Sequence, residues 1–170
     1  MSSTALALPE NTLDEVIQGK QPLNVFLGLG QEQIQAFAAL GFASYQQGRI
    51  EEAREIFEGL IALDSTSYFG WAGLGALELS QNNLDEAETS LRSAVQRYGD
   101  DPTVLANLGE VFLRKGNAEE ATTLLKKALD LDPTGEDAGA NRARAILQGM
   151  MLVLEELEKN PDAFAEGADD

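Results

Sequence analysis

The fold is decided by residues 71–91, WAGLGALELSQNNLDEAETSL, because the chain repeats their pattern both before and after them. Leu-Gly pairs recur every 34 residues, ending at Gly41, Gly75 and Gly109. An alanine follows each of these glycines 12 positions later, and a bulky apolar residue stands four before each glycine and four after each alanine. The bulky residues are Phe37, Trp71 and Leu105, then Phe57, Leu91 and Leu125. A fixed period of this kind indicates an internal repeat.

The small residues predict where two antiparallel helices of each repeat come closest. The glycine belongs to the first helix, helix A, and the alanine to the second, helix B. The bulky residues are expected to fill the space on either side, so that small and large positions interlock. The alanines are Ala53, Ala87 and Ala121. One helix pair cannot bury its own apolar face, so the repeats must stack.

The period and the signature Trp71-x-x-Leu74-Gly75 resemble the tetratricopeptide repeat. This resemblance implies an all-α fold: a right-handed solenoid of three tetratricopeptide repeats with an N-terminal helical segment and a C-terminal capping helix. Glu78 departs from the pattern, since it stands where the repeat usually has an aromatic residue.

The repeat divides the chain into seven predicted segments. Gly48, Asn82 and Gly116 are expected at the inner turns, and Asp101 before Pro102 predicts the start of a helix. The segments are a disordered N-terminus (1–10), an N-terminal helical segment (11–33), the repeats (34–67, 68–101 and 102–135), a capping helix (136–159) and a flexible acidic tail (160–170).

The sequence of the N-terminal segment predicts two short helices. The first, starting near Leu13 and ending at Gly19, places Leu13, Val16 and Ile17 on one apolar face. The second is predicted over residues 23–29. Two interpretations are open: the segment caps the first repeat, or its apolar face meets a second copy of the chain.

Composition disfavours an enzyme. The sequence has no cysteine and no histidine, so it offers no thiol nucleophile, no cysteine zinc site and no imidazole base. We therefore expect no catalytic residue, no metal site and no cofactor. The net charge of −17 would repel nucleic acid and anionic membrane surfaces.

The chain is expected to be cytoplasmic. Its apolar runs fall short of the roughly 20 residues that span a bilayer. The first basic residue is Lys20, which disfavours a secretory signal. Membrane insertion is therefore not predicted.

Helix A of each repeat is expected to line a concave groove for a client peptide. An apolar concave surface usually holds a bound segment, here an extended one. Alternatively, the aromatic residues of repeat 1 only pack against the preceding helices. Some tetratricopeptide proteins bind the C-terminal carboxylate of a peptide through basic and amide residues on helix A. This mode is disfavoured here, because Arg114 is the one basic residue at those helix A positions. The predicted groove residues are Ala38, Phe42, Tyr45, Gln46, Phe69, Ala72, Ala76, Leu79, Ala106 and Leu113.

Repeat 1 carries a narrower resemblance, to the class II chaperones of type III secretion. The matching runs are Ala-Leu-Gly-Phe (39–42), Tyr-Gln-Gln-Gly-Arg (45–49) and Glu-Glu-Ala (51–53). Gly19-Lys20, Leu60, Leu63-Asp64 and Gly-Leu-Gly-Ala (73–76) also match the family. The resemblance extends from Leu13 to Leu157.

This resemblance implies a non-enzymatic cytoplasmic chaperone. Its client would be a secreted, partly hydrophobic translocator, held through a short extended segment until type III export. Phe42 and Tyr45 correspond to groove aromatics of the family, and the leading helix often supports a homodimer there. The alternative is a general scaffold that uses the same groove to join soluble components of an assembly.

Overall fold

The computed structural model describes residues 12–99 and 101–160, and the regular structure within them is helical throughout. These residues form two compact units, an N-terminal unit ending at Arg97 and a C-terminal unit starting at Tyr98. The helices are α1 (Thr12–Ile17), α2 (Leu23–Phe26), α3 (Gln31–Gln46), α4 (Ile50–Leu63), α5 (Tyr68–Ser80), α6 (Leu84–Arg97), α7 (Pro102–Arg114), α8 (Ala118–Asp130) and α9 (Ala138–Lys159).

The N-terminal unit consists of the helix pairs α3/α4 and α5/α6, with α5 packed on both α3 and α4. The predicted close approaches are confirmed. A Cβ added at Gly41 would lie 2.8 Å from the ring of Phe57, and one added at Gly75 would lie 2.6 Å from Leu91 Cγ. Ala53 and Ala87 are fully buried opposite them. The small residues thus let each helix A approach its helix B.

The C-terminal unit repeats this arrangement in α7 and α8 and adds α9, which packs on both helices. A Cβ at Gly109 would lie 2.8 Å from Leu125 Cγ. At the start of α9, a Cβ at Gly139 would lie 2.4 Å from the backbone of Thr103, so this glycine sets the contact between α9 and α7.

Turn and cap residues explain where the helices begin and end. Gly48 (φ +75°) and Asn82 (φ +62°) adopt the left-handed backbone that glycine and asparagine tolerate best. Asp101 accepts hydrogen bonds from the backbone N–H groups of Thr103 (2.7 Å) and Val104 (3.1 Å). It therefore caps α7, whose first residue is Pro102.

A buried carboxylate organises the turn between α8 and α9. Asp132 accepts hydrogen bonds from the backbone N–H of Asp137 (2.8 Å), the backbone N–H of Gly135 (3.2 Å) and the hydroxyl of Thr134 (3.0 Å). These donors hold the pKa of Asp132 below its ordinary value. Asp137 in turn caps α9 by accepting from the N–H of Ala140.

The first repeat differs from the prediction on its outer face. Phe37 and Leu40 were expected to be packing positions, but their side chains are 43% and 46% exposed. Within the described residues, α1 and α2 contact each other and α2 contacts α4, while neither reaches α3. Neither of the two helices described before α3 therefore covers its outer face, which accounts for the exposure of Phe37 and Leu40.

The predicted helix boundaries hold with small shifts. Helix α3 begins at Gln31, three residues before Ile34, and α2 ends at Phe26, three residues before Leu29. The predictions for residues 1–10, for 161–170 and for the side chain of Leu13 lie outside the described residues. Of the other two residues of the expected dimer face, Val16 is half-buried and Ile17 is exposed.

Candidate peptide-binding surface

Three aromatic side chains on α3 and α5 rest on the core of the N-terminal unit. Phe42, Tyr45 and Phe69 are each partly exposed and pack against one apolar cluster. Phe42 meets Phe57 edge to face, with 5.0 Å between ring centroids and 62° between ring planes. The cluster comprises Ala38, Ala53, Phe57, Leu60 and Leu77. Each aromatic residue thus has one side fixed by the core and another accessible to a partner.

The predicted groove residues of this unit divide by accessibility. Phe42, Tyr45, Gln46, Phe69 and Ala76 are at least partly exposed. Ala38, Ala72 and Leu79 are buried, and Ala38 belongs to the cluster on which the aromatic residues pack. The accessible residues carry no charge, so they favour an apolar partner over an ionic one. The alternative in which Phe42 and Tyr45 pack only on the preceding helices does not describe this packing, since both rest on the cluster of α3, α4 and α5.

An ion pair between Arg54 and Glu78 joins α4 to α5. Glu78, only 4% exposed, pairs with Arg54 and accepts a hydrogen bond from Asn83 Nδ2 (2.7 Å). Burial raises the pKa of Glu78, but the hydrogen bonds from Arg54 and Asn83 outweigh it and hold that pKa below its ordinary value. Glu78 also raises the pKa of Arg54. Glu78 can therefore occupy the position where the repeat usually has an aromatic residue, since Arg54 and Asn83 satisfy its buried carboxylate.

The predicted groove residues of the C-terminal unit have different surroundings. Ala106 is fully buried, and Leu113 is partly exposed in a pocket that it shares with α9. Helix α9 also reaches the α7 surface through Arg142, which donates to Asn107 Oδ1 (2.6 Å) and pairs with Glu110. In this unit, α9 thus occupies part of the helix A surface that the sequence assigned to a client.

The pocket beside Leu113 was not identified from the sequence. Its volume is about 580 Å³, and its lining is Leu113, Ala118, Ile146, Gly149, Met150, Val153 and Leu154. The signal was the apolar run at residues 150–154, which is broader than one buried stripe. The predicted capping helix (136–159) includes this run but predicts no pocket.

The described part of the chain shows neither a metal site nor a membrane-spanning helix. Among residues 12–99 and 101–160, no cluster of metal-ligating side chains occurs. Within the same ranges, no helix is long and apolar enough to cross a bilayer.

Comparison with known protein families identifies the repeats directly. One tetratricopeptide-repeat model matches residues 73–136, and a second matches residues 34–58. No curated protein matches the chain. The all-α fold built from tetratricopeptide repeats is confirmed.

Solved structures of type III secretion chaperones resemble the chain over nearly their whole length. The chaperone PcrH of Pseudomonas aeruginosa, solved with the chaperone binding region of PopD, is 28% identical with a TM-score of 0.64; the match covers 74% of this chain and 96% of PcrH. The translocator chaperone SycD of Yersinia enterocolitica, solved with a peptide of the translocator YopD, is 25% identical with a TM-score of 0.63 and coverages of 73% and 96%.

An alternative dimer of SycD is 25% identical to the chain, with a TM-score of 0.65 and coverages of 75% and 98%. The chain therefore contains tetratricopeptide repeats and is similar in fold to the translocator chaperones of type III secretion.

Proposed function

We propose that this protein is a non-enzymatic cytoplasmic chaperone for a secreted translocator-type client. It binds an extended apolar segment of the client and keeps the client soluble until type III export. The binding site is the α3/α5 surface, which we define by its accessible residues Phe42, Tyr45, Gln46, Phe69 and Ala76. The observation that carries the proposal is the similarity to SycD, solved with a peptide of the translocator YopD, and to PcrH, solved with the chaperone binding region of PopD.

The chemistry of the α3/α5 surface supports an apolar client segment. Its accessible side chains are aromatic, small or uncharged. Side chains of an extended segment alternate in direction, so every second one would contact the surface. Partly exposed aromatic residues on a fixed base are the usual energetic centres of such interfaces.

The same proposal includes a homodimer through the N-terminal unit. Leu13, Val16 and Ile17 are the residues that the sequence favours for this contact, and Ile17 is exposed. The dimeric SycD structure supports this part of the proposal.

Capture of the client from a lysate of the native cells tests the proposal. Wild type is compared with a Tyr45→Ala/Phe69→Ala variant, whose helical content is checked by circular dichroism. We expect wild type to capture one dominant partner with apolar, membrane-inserting stretches, and the variant to lose it.

The matched control is Phe37→Ala/Leu40→Ala, which truncates exposed apolar residues on the other face of α3. It should retain the client. Capture of the same soluble, independently folded partners by all three proteins would contradict the chaperone function and favour a scaffold.

A further inference from the structure

The buried ring of Phe57 contacts two helices at once, α3 and α5, which together carry the α3/α5 surface. Phe57 belongs to α4 and is fully buried. A Cβ added at Gly41 of α3 or at Gly73 of α5 would lie within 2.8 Å of the same ring atom, Cε1, which is closer than such atoms approach in proteins. Both glycines are therefore needed for α3 and α5 to pack on this ring.

The same ring supports Phe42, one of the accessible residues of the α3/α5 surface. Phe42 follows Gly41 directly and meets the ring of Phe57 edge to face, with 5.0 Å between the ring centroids. Aromatic pairs prefer this arrangement, and it stabilises them beyond the apolar area that they bury. Because Phe57 is fixed by α3 and α5, it also fixes the orientation of the Phe42 ring.

A fixed orientation matters for binding, because a partner that binds a mobile side chain must first order it. A side chain that is already held in its binding rotamer avoids this cost, and the affinity is higher. Phe42 is partly exposed, so without a partner in the core its ring would change rotamer on the surface. The support beneath the surface therefore contributes to affinity although a client cannot reach it.

We propose that Phe57 and Gly73 are positioning residues of the α3/α5 surface. They hold Phe42 in one rotamer and thereby raise the affinity for an apolar client segment. The inference rests on the proposed function and adds to it two buried residues that set the site without contacting the client.

The positioning can be removed without changing any accessible residue. In the double variant Phe57→Leu/Gly73→Ala, leucine lacks Cε1 and Cζ, which are two of the three ring atoms that a Cβ at position 73 would meet. The added methyl group occupies part of the space that the ring leaves. Phe42 loses its aromatic partner, while the core stays apolar and filled. Phe57→Leu alone, which adds no Cβ, is the second variant if the double variant does not fold.

The matched control is Leu91→Val, which removes one methylene from the core of the same unit. Leu91 is fully buried on α6 beside Gly75 of α5. It lies outside the cluster on which the surface aromatic residues pack. This control therefore separates a general loosening of the core from the loss of support for Phe42.

The rotamer of Phe42 is measured without any client. Three-bond NMR couplings across χ1 of Phe42 are recorded on the full-length chain, and circular dichroism verifies that each variant is folded. We expect the couplings of a single rotamer in wild type and in Leu91→Val. In the double variant we expect averaged couplings.

Affinity is measured with a fluorescent synthetic peptide that has leucine at every second position and serine between, the pattern of an extended segment with one apolar face. Loss of binding by Tyr45→Ala places the peptide on the α3/α5 surface. We expect the double variant to bind the peptide about three- to tenfold more weakly than wild type. Leu91→Val should bind it as wild type does.

A folded double variant that keeps Phe42 in one rotamer, or that binds the peptide as tightly as wild type, would overturn the inference. An equal loss of affinity in Leu91→Val would also overturn it. Wild type that does not bind the peptide, or binding that Tyr45→Ala leaves unchanged, would instead contradict the proposed binding mode. The couplings of Phe42 would then decide the positioning roles of Phe57 and Gly73 on their own.

Discussion

Gly73 shows how tightly a single residue is constrained in the N-terminal unit. A Cβ at this position would lie 2.2 Å from the ring of Phe57, which is fully buried and cannot move aside. The repeat signature names Gly75, not Gly73, so this constraint is specific to the packing of α5 on α4.

We predict that Gly73→Ala lowers the free energy of unfolding by about 2 kcal/mol, because overpacking outweighs the roughly 1 kcal/mol gained in helix propensity. Chemical denaturation measures the change. In the control, Gly59→Ala on α4, the new Cβ is in open space and should stabilise the protein by up to about 1 kcal/mol. Loss of stability in both variants, or in neither, would contradict the packing described for Gly73.

The buried carboxylate of Glu78 is predicted to stabilise the fold through its pair with Arg54. Glu78→Gln keeps the shape of the side chain but leaves Arg54 without its carboxylate, so we expect a loss of about 2 kcal/mol. Glu51 also faces Arg54, at 3.9 Å, but its side chain is 84% exposed. Glu51→Gln should therefore change stability little, as is usual for surface pairs.

The same pair predicts a dependence of stability on pH. The pKa of Glu78 is lower in the folded than in the unfolded chain, where it is about 4.3. Its contribution is therefore complete above that value and is lost as the pH falls through the folded-state pKa. The stability difference between wild type and Glu78→Gln should shrink below about pH 4. A difference that stays constant down to acid unfolding would contradict the assignment.

Some residue positions could be predicted from the sequence and others could not. Gly41 lies close to helix α4, as predicted, and Ala53 is buried, because this packing is formed inside one helix pair whose two members are both in the repeat. Phe37 and Leu40 occupy equally characteristic positions, but their burial depends on a preceding helix pair. Among the described residues, α1 and α2 precede the first repeat but do not contact α3, so the pattern alone overestimated the burial of Phe37 and Leu40.

At the scale of the element, α7 offers a direct test of helix capping. Asp101→Ala removes the acceptor for the N–H groups of Thr103 and Val104, and we expect a loss of about 1 kcal/mol. Asp101→Asn retains an acceptor and should recover most of this stability. Equal destabilisation by alanine and asparagine would show that the carboxylate acts through something other than the cap.

Helix boundaries were predictable where a local signal exists. Asp101-Pro102 starts α7 as predicted, and Gly48 and Asn82 lie at the turns predicted for them. The role of α9 was harder to predict, because its neighbours are distant in sequence. Arg142 reaches Asn107 and Glu110 across more than 30 positions, and the pocket beside Leu113 exists only once α9 has packed on α7 and α8.

At the scale of the whole molecule, charge and function fit together. The chain carries 29 acidic and 12 basic residues, so it remains strongly hydrated. A protein that holds an insoluble client benefits from this property, because the complex inherits the charge. In the proposed function, the accessible aromatic residues of α3 and α5 provide the apolar contact with the client.

The most direct test of the chaperone function is the soluble fraction of the captured client when it is co-expressed with the chain. Client produced alone should be insoluble, and wild type should make it soluble. Tyr45→Ala should lose this effect, since truncating a central aromatic contact removes on the order of 2 kcal/mol of binding. Phe37→Ala, the same kind of change on the same helix, should retain it. A client that is soluble alone, or that stays soluble with Tyr45→Ala, would contradict the account.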